Sequence, residues 1–225
     1  MKNIRVLFVE AHKQKKAIEL AIAKLNIREL VQLPKDLVLA YSIQYREIAE
    51  KIKELLERNK FKIKDFIQVL GCSKINNRYK CENLLLISSG KFHSLNIVLN
   101  SKRVGIKNVY IYNIGVNRLE KPEALEISRL EKNLELCKKK FLTSDKIGIL
   151  VSTKPGQNDL ISAEKIKEKI NKKFPEKRVY IFISNNINPA EFENFDTPIF
   201  INTACSGLAY DSGKIINSDD ILEFL

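Results

Sequence analysis

Short apolar runs alternate with segments whose apolar residues recur at helical spacing along nearly the whole chain. The apolar runs predict strands at residues 4–9, 37–41, 66–70, 84–88, 109–112, 147–151, 179–183 and 198–201. The helical spacing predicts helices over residues 13–25, 45–58, 92–100, 122–141 and 160–174, and a terminal helix at 218–225. Strands that alternate with helices favour βαβ units. The predicted fold class is α/β, with two Rossmann-like βαβ domains that carry mostly parallel sheets and are related as internal repeats.

The second half of the chain repeats the pattern of the first half. A boundary near residues 115–122 predicts one domain over residues 1–118 and another over residues 119–225. In each half a late strand runs out into a cysteine, Cys72 in the first and Cys205 in the second. The carboxyl ends of parallel strands are where α/β proteins place their ligand sites. The two cysteines therefore suggest one shared site.

Length and cysteine usage narrow the class of protein. The chain has 225 residues, with no charged-then-apolar leader and no apolar run of the roughly 20 residues that span a bilayer. We therefore expect a cytoplasmic protein with no membrane partner. Four cysteines without such a leader do not indicate a disulfide framework, and no pair has C-x-x-C spacing. Any metal site has to be assembled from distant segments.

The net charge of +12 raises the question of an acidic or polyanionic partner. Many lysines, such as Lys165, Lys167 and Lys169, lie in a predicted helix and are interleaved with glutamates, which is typical of a solvated helix surface. RNA binding is the second interpretation, although we find no motif of basic and aromatic residues for stacking bases.

Each strand-end cysteine follows a small residue that lets a bulky group approach. A thiolate is a soft ligand for iron and sulfur, and cysteines far apart in sequence can hold an iron–sulfur cluster. The alternative is that Cys72 and Cys205 are buried structural thiols, as free cysteines commonly are. Cys137 falls on the apolar face of a predicted helix, and Cys81 lies in a charged stretch before a strand. We predict no ligand role for either.

Two polar loops each follow a predicted strand and open a predicted helix. The first contains Gly90 and His93, and backbone amides at such a position can hold an anion. The second contains Thr153, Gly156 and Gln157, and it lacks the Gly-Lys-Ser/Thr of a Walker loop. Both are candidate ligand loops. The alternatives are a hydrogen-bonded histidine at a helix start and an ordinary strand-to-helix turn.

Taken together, four stretches resemble the diphthamide biosynthesis enzymes of the Dph1/Dph2 family. They are Gln68–Cys72, Leu86–His93, Gly148–Gln157 and Asn202–Asp211, whose order and spacing fit the family over nearly the whole chain. The resemblance implies three homologous α/β domains, each giving one cysteine to a 4Fe-4S cluster. It also implies that the cluster cleaves S-adenosylmethionine to a 3-amino-3-carboxypropyl radical, which adds to a histidine of translation elongation factor 2.

The resemblance assigns roles to residues of this chain by their position. Cys72 becomes the cluster ligand of the family's second domain, and Cys205 that of its third domain. The loops that contain Gly90 and His93, and Thr153, Gly156 and Gln157, are placed near the methionine and adenosine ends of S-adenosylmethionine.

Two departures from the family pattern shape the expected function. The sequence starts where the family's second domain starts, and Ser206-Gly207 replaces the Pro-Arg that usually follows the third-domain cysteine. We therefore expect a shortened family member that works as a homodimer or heterodimer, with a paralogue or a separately encoded first domain supplying the third cluster ligand. The alternatives are a non-catalytic scaffold subunit that binds no cluster, and a basic RNA-associated protein.

Overall fold

The computed structural model describes residues 15–70, 73, 75–89, 92–210 and 212–225, with the backbone alone at 15–17, 92–94, 189 and 193. The strand predicted at residues 4–9 lies outside these ranges. The chain divides into two compact units, of which the first ends at Ile127 and the second is Ser128–Leu225.

The described residues form six α-helices and nine strands. The helices are α1 (Lys15–Ala23), α2 (Ile27–Leu30), α3 (Arg46–Arg58), α4 (Phe92–Arg103), α5 (Ala124–Thr143) and α6 (Leu160–Lys173). The strands are β1 (Asp36–Tyr41), β2 (Lys62–Gln68), β3 (Asn83–Ser88), β4 (Asn108–Asn113), β5 (Arg118–Glu120), β6 (Lys146–Ser152), β7 (Arg178–Ser184), β8 (Ile199–Asn202) and β9 (Ile215–Asn217). Short 3₁₀ helices cover Ile43–Tyr45, Pro189–Phe195, Ser206–Ala209 and Ser218–Phe224.

The first unit is built on a sheet with strand order β2-β1-β3-β4-β5. The first four strands are parallel, and β5 pairs with β4 antiparallel. Strands β1 and β3 are buried on both faces, as their continuous apolar runs require. Leu39 and Leu85 belong to the core on one face, and Ala40 and Leu84 to the core on the other.

The second unit is built on a fully parallel sheet with strand order β7-β6-β8-β9. Ile149 of β6 and Ile166 of α6 belong to the core on one face, and Leu150 and Phe200 to the core on the other. Gly148 of β6 permits the close approach of Phe200, because a Cβ there would lie 2.3 Å from that ring. Both sheets share the strand order second-first-third-fourth, counted within each unit.

The structure confirms the predicted fold class, and it differs from the sequence-based assignment in details. Strands β5 and β9, of three residues each, were not predicted. The terminal segment Ser218–Phe224 is a 3₁₀ helix. The two units meet in sequence at Ile127, inside α5, whereas the predicted boundary is at residue 118. The assignment of residues 1–118 and 119–225 to two family domains stays a prediction.

Among the described residues, no helix has the length and apolar character that crossing a bilayer requires.

Candidate functional site

The carboxyl ends of β6 and β8 lie side by side in the middle of the second sheet, where Leu150 pairs with Asn202. From β6 the chain passes to β7 on one side, and it then returns to β8 on the other side. The strand order therefore reverses between β6 and β8. In open α/β sheets, ligands bind in the crevice at this point of reversal. The loops that follow β6 and β8 form the candidate site.

The loop after β8 is fixed by the side chain of Asn202, which is 2% exposed. Its Oδ1 accepts a hydrogen bond from the Ala204 N–H (3.0 Å), and its Nδ2 donates to the Cys205 carbonyl (2.8 Å) and to Asn217 Oδ1 (2.8 Å). Asn217 in turn donates from Nδ2 to the Ser206 carbonyl (3.2 Å). Two asparagines at the ends of neighbouring strands thus hold the backbone on both sides of Cys205.

Thr203 ties this loop to the neighbouring strand β6. Its N–H (3.1 Å) and its hydroxyl (2.9 Å) both donate to the Leu150 carbonyl. Thr203 thus links the loop to the end of β6, and the bonds of Asn202 with the Ala204 N–H and the Cys205 carbonyl fix the loop from there to Cys205. Sequence patterns alone did not single out Asn202, Thr203 or Asn217. The signal that the sequence offered was Asn202 directly after the predicted strand 198–201, whereas β9, which ends at Asn217, was not predicted.

Cys205 itself is half-buried and free, and it immediately precedes the 3₁₀ helix Ser206–Ala209. Its backbone is extended, and no described group hydrogen-bonds to its sulfur. The Cys205 carbonyl is occupied by Asn202 and by the Leu208 N–H (3.1 Å). Cys205 therefore has a fixed backbone and an available thiol.

Helix α5 holds the segment that follows Cys205 and its 3₁₀ helix. Asn133 Nδ2 donates to the Ser212 carbonyl (3.2 Å), and Lys140 Nζ donates to the Gly213 carbonyl (2.7 Å). These contacts fix the turn into β9, whose last residue is Asn217. The frame around Cys205 is thus anchored from β6, from β9 and from α5.

The loop after β6 contains three of the predicted site residues. The Thr153 N–H donates to the Ser184 carbonyl (3.0 Å), and its hydroxyl donates to Asn185 Oδ1 (3.3 Å). Gly156 has φ +78°, in the left-handed region that favours glycine. Thr153 and Gly156 are exposed, and Gln157 is half-buried. The structure therefore brings Thr153, Gly156 and Gln157 to the same carboxyl edge as Cys205.

Three predicted site residues of the first unit are described in part or not at all. Cys72 and Gly90 lie outside the described residues, and for His93 only the backbone, in the first turn of α4, is described. Leu70 and Ser73, on either side of Gly71 and Cys72, are joined by hydrogen bonds from the Leu70 N–H to Ser73 Oγ (2.7 Å) and from the Ser73 N–H to the Leu70 carbonyl (3.0 Å).

The strand before Gly90 ends at the point of reversal of the first sheet, between β1 and β3. The Tyr45 hydroxyl, after β1, donates to Ser89 Oγ, after β3. Ser88, the last residue of β3, is fully buried, and its hydroxyl has no hydrogen-bond partner among the described residues. This edge carries an unsatisfied polar atom beside the predicted ligand loop.

Cys72 and Cys205 follow strands at different places in the two sheets as described. Cys72 follows β2, the outermost strand of the first sheet as described, whereas Cys205 follows β8, a central strand of the second sheet. In the described part of the chain, Cys72 thus follows the second strand of its sheet and Cys205 the third strand of its sheet. That the two cysteines share one site stays a prediction.

The other two cysteines are parts of the cores. Cys81 is 5% exposed, and its sulfur lies 3.5 Å from the Asp36 carbonyl. Cys137 is 1% exposed, and burial raises the pKa of its thiol, with a smaller opposing effect from Lys140. In the part of the chain that the structure describes, no three His, Cys, Asp or Glu side chains are grouped to hold a metal ion. Of the three described cysteines, Cys205 is the one whose thiol is accessible to a ligand at the carboxyl edge of a sheet.

Comparisons with known proteins agree with this architecture. A crystal structure of Dph2 from Pyrococcus horikoshii with a 4Fe-4S cluster has a TM-score of 0.71 to this chain at 21% identity. The match covers 91% of this chain and 60% of the Dph2 chain. A second crystal structure of that protein gives the same TM-score and identity, with 61% of its own chain covered. The likeness extends to the fold of both units.

Sequence comparison leads to the same group of proteins. The 2-(3-amino-3-carboxypropyl)histidine synthase of Pyrococcus horikoshii is 24% identical over 218 residues, which are 93% of this chain and 60% of the relative. The chain thus spans about 60% of the length of the relatives it matches. Residues 1–215 match the family model described as "Putative diphthamide synthesis protein". Since the match takes in almost all of the sequence, the chain belongs to the diphthamide synthesis protein family.

Proposed function

We propose that this chain supplies Cys72 and Cys205 as ligands of a 4Fe-4S cluster in a 3-amino-3-carboxypropyl transferase that acts on a histidine of translation elongation factor 2. Membership of the family supports the pathway. The observation that carries the proposal is the free, half-buried Cys205 at the point of strand reversal, beside the polar loop after β6.

The surroundings of Cys205 fit a ligand of iron. Thiolates are the usual protein ligands of iron–sulfur clusters, and the Cys205 thiol has no competing hydrogen bond among the described residues. When bound, such a cluster supplies the electron for cleavage of S-adenosylmethionine. The contribution of this chain is positional: the contacts of Asn202, Thr203 and Asn217 hold the Cys205 backbone before any ligand arrives.

The loop after β6 is the proposed contact for S-adenosylmethionine in the second unit. Thr153 and Gln157 carry polar groups that suit its polar ends, and Gly156 lets the backbone approach a ligand closely. Gly90 and His93 are proposed to take the corresponding role in the first unit. In this proposal residues 1–118 correspond to the family's second domain and residues 119–225 to its third domain.

The third cysteine of the proposed cluster has to come from outside these 225 residues. The sequence has four cysteines, and Cys81 and Cys137 are enclosed in the cores. We propose that the missing ligand is supplied within a homodimer or heterodimer, by a family paralogue or by a separately encoded first domain.

Anaerobic purification of the tagged protein from its own cells, together with its partners, tests the cluster. We expect iron, sulfide and the broad visible absorption of an iron–sulfur cluster, all lost in Cys205→Ala. The matched control is Cys81→Ala, which removes a thiol from a core and should keep the iron at parental level once the variant is shown to be folded. Equal iron in the parent and in both variants would refute a ligand role for Cys205.

A second candidate function is a non-catalytic subunit that docks a partner or the elongation factor. It is favoured by Ser206-Gly207, where the family usually has Pro-Arg: Gly207 is buried, and this pair brings no cation to the edge. With the partner present, transfer of radiolabel from S-adenosylmethionine to elongation factor 2 distinguishes the two functions. A scaffold predicts that transfer survives Cys72→Ala/Cys205→Ala and requires the chain, whereas a ligand role predicts that transfer is lost.

A further inference from the structure

The net positive charge of the chain lies almost entirely in its first unit. Residues 1–127 hold 24 of the 39 Lys and Arg residues and 13 of the 27 Asp and Glu residues, which gives a net charge of +11. Residues 128–225 hold the other 15 basic and 14 acidic residues, for a net charge of +1. Lysine is equally frequent in the two units, with 17 lysines among residues 1–127 and 13 among residues 128–225. The difference in net charge comes from seven arginines against two and from the lower share of acidic residues in the first unit.

Much of this charge lies where the parallel strands of the first sheet begin. Lys62 opens β2, and Lys35 directly precedes β1; the Lys62 N–H donates to the Lys35 carbonyl (2.7 Å). Lys60 lies in the turn before β2, and Lys107 directly precedes β4. We call this surface the amino edge of the first sheet, and we define it by the exposed residues Lys35, Lys60, Lys62, Arg78, Lys80 and Lys107.

The turn that carries Arg78, Tyr79 and Lys80 is fixed to the amino edge by Asn77. Asn77 Nδ2 donates to the Cys81 carbonyl (2.9 Å) and the Val104 carbonyl (3.0 Å), and Asn77 Oδ1 accepts from the Cys81 N–H (2.8 Å). The Cys81 sulfur in turn lies against the Asp36 carbonyl at the start of β1. Tyr79 is 55% exposed and lies between two cations in the sequence.

The carboxylates at the amino edge are already paired with other lysines. Asp36 pairs with Lys64 (3.6 Å), and Glu82 pairs with Lys107 (2.5 Å). Lys60, Lys62, Arg78 and Lys80 form no ion pair with any described residue. Four cations of the amino edge, two of them the sequence neighbours of the exposed Tyr79, therefore have no counter-charge from the described part of the unit.

We propose that the amino edge of the first sheet binds single-stranded RNA. Proteins that hold single strands combine a basic track for the phosphates with aromatic rings on which bases stack. Lys60, Lys62, Arg78 and Lys80 supply the track, and Tyr79 supplies the ring. Strands of six residues separate this edge from the carboxyl edge by about 20 Å. The RNA surface thus lies at the opposite edge of the first sheet from the loops that follow its parallel strands, and the inference does not depend on the proposed function.

Fluorescence anisotropy of the full chain with a labelled oligouridine of about 12 nucleotides tests the surface. We expect binding that weakens linearly on a log–log plot as KCl is raised, by a slope of about 0.7 for each phosphate contact. The variant Lys60→Gln/Lys62→Gln/Lys80→Gln should bind about tenfold more weakly or worse, and its slope should fall by about 2. Tyr79→Ala should also lose about tenfold in affinity, with the slope unchanged, because stacking releases no counterions.

The matched control removes the same charge from the second unit. Lys165→Gln/Lys169→Gln/Lys172→Gln changes three exposed lysines of α6 and should keep the parental affinity and slope. Equal losses in the two triple variants would overturn the proposal in favour of a nonspecific charge effect. So would capture of the chain by phosphatidylserine vesicles without RNA binding, or the absence of any anisotropy change at about 50 mM KCl. Circular dichroism of each variant confirms that the fold is kept.

Discussion

Asn202 is the residue on which the geometry of the candidate site depends most. It is almost fully buried, and its amide makes three hydrogen bonds within the frame around Cys205. In Asn202→Ala, the Cys205 carbonyl loses one donor, and Asn217 Oδ1 loses its donor in a partly buried setting. We expect the free energy of unfolding to fall by about 2–3 kcal/mol, measured by urea denaturation.

A matched change outside the frame separates this effect from the loss of any asparagine. Asn185 is exposed and accepts one hydrogen bond, from the Thr153 hydroxyl at 3.3 Å. Asn185→Ala should change the unfolding free energy by less than about 0.5 kcal/mol. If Asn202→Ala is as mild as Asn185→Ala, the frame does not stabilise the loop.

The thiols of Cys205 and Cys137 should differ in their reaction with iodoacetamide. Burial raises the pKa of the Cys137 thiol, so it stays neutral as the pH rises from about 7 to 9, and it is also shielded from the reagent. The neutral buried thiol favours the folded state until the pH exceeds its ordinary pKa of about 9, and this stabilisation is lost as the pH rises toward the raised pKa.

Peptide mass spectrometry of the folded protein should therefore find Cys205 alkylated well before Cys137. In urea, the two should react at similar rates. Fast alkylation of Cys137 in the folded protein would contradict its place in the core of the second unit.

At the scale of elements, the sequence predicted those strands whose residues are buried along their whole length. Strands β3, β6 and β8 were predicted because a strand buried on both faces has to be apolar throughout. The start of β2 was missed, since Lys62, Lys64 and Asp65 leave Ile63 as the one apolar residue before Phe66 at the outside of the described sheet. Strands β5 and β9 are three residues long, and pairing with a neighbour defines them more than their own composition does.

The order of strands within a sheet could not be deduced from their order in sequence. The sequence could therefore place Cys205 at the end of a strand, but it could not show that this strand lies next to β6 at the point of reversal. The hydrogen bonds of Asn202 and Thr203 to neighbouring strands were equally out of reach, because they depend on which strands become neighbours.

The end of α5 is held by a lysine from a different element. Lys177 is 7% exposed, and its Nζ donates to the carbonyls of Leu142 and Ser144 at 2.8 Å each. Carbonyls at the end of a helix lack partners within the helix, and a cation there also suits the helix dipole. Lys177→Met keeps the aliphatic stem and removes both hydrogen bonds. It should lower the unfolding free energy by about 2–3 kcal/mol in urea denaturation.

Lys173, at the exposed end of α6, provides the control for this substitution. Lys173→Met should stay within about 0.5 kcal/mol of the parent, since it removes a solvated charge. A similar cost for Lys177→Met and Lys173→Met would mean that the buried contacts add no stability.

At the scale of the whole molecule, the two units differ in what their surfaces carry. Each has its own sheet and its own pair of hydrophobic clusters. The first unit holds nearly all of the net positive charge, while the second holds the described candidate ligand Cys205. The sequence-based interpretation of the charge as a solvated helix surface rested on the lysines of α6, which belongs to the nearly neutral second unit. Once the fold divides the chain into two units, the net charge is seen to lie in the first unit, which contains the amino edge.

A polypeptide of residues 122–225 should fold without the first unit. It contains all of α5 and the four-stranded parallel sheet, with the clusters on both faces of that sheet. About 100 residues are enough for an independent core. We expect a single cooperative transition in urea, followed by circular dichroism, and a gradual loss of signal would contradict the expectation. Since this polypeptide lacks the amino edge, it should also fail to bind the labelled oligouridine at the salt concentration at which the full chain binds. Binding by the folded polypeptide would locate the RNA surface in the second unit.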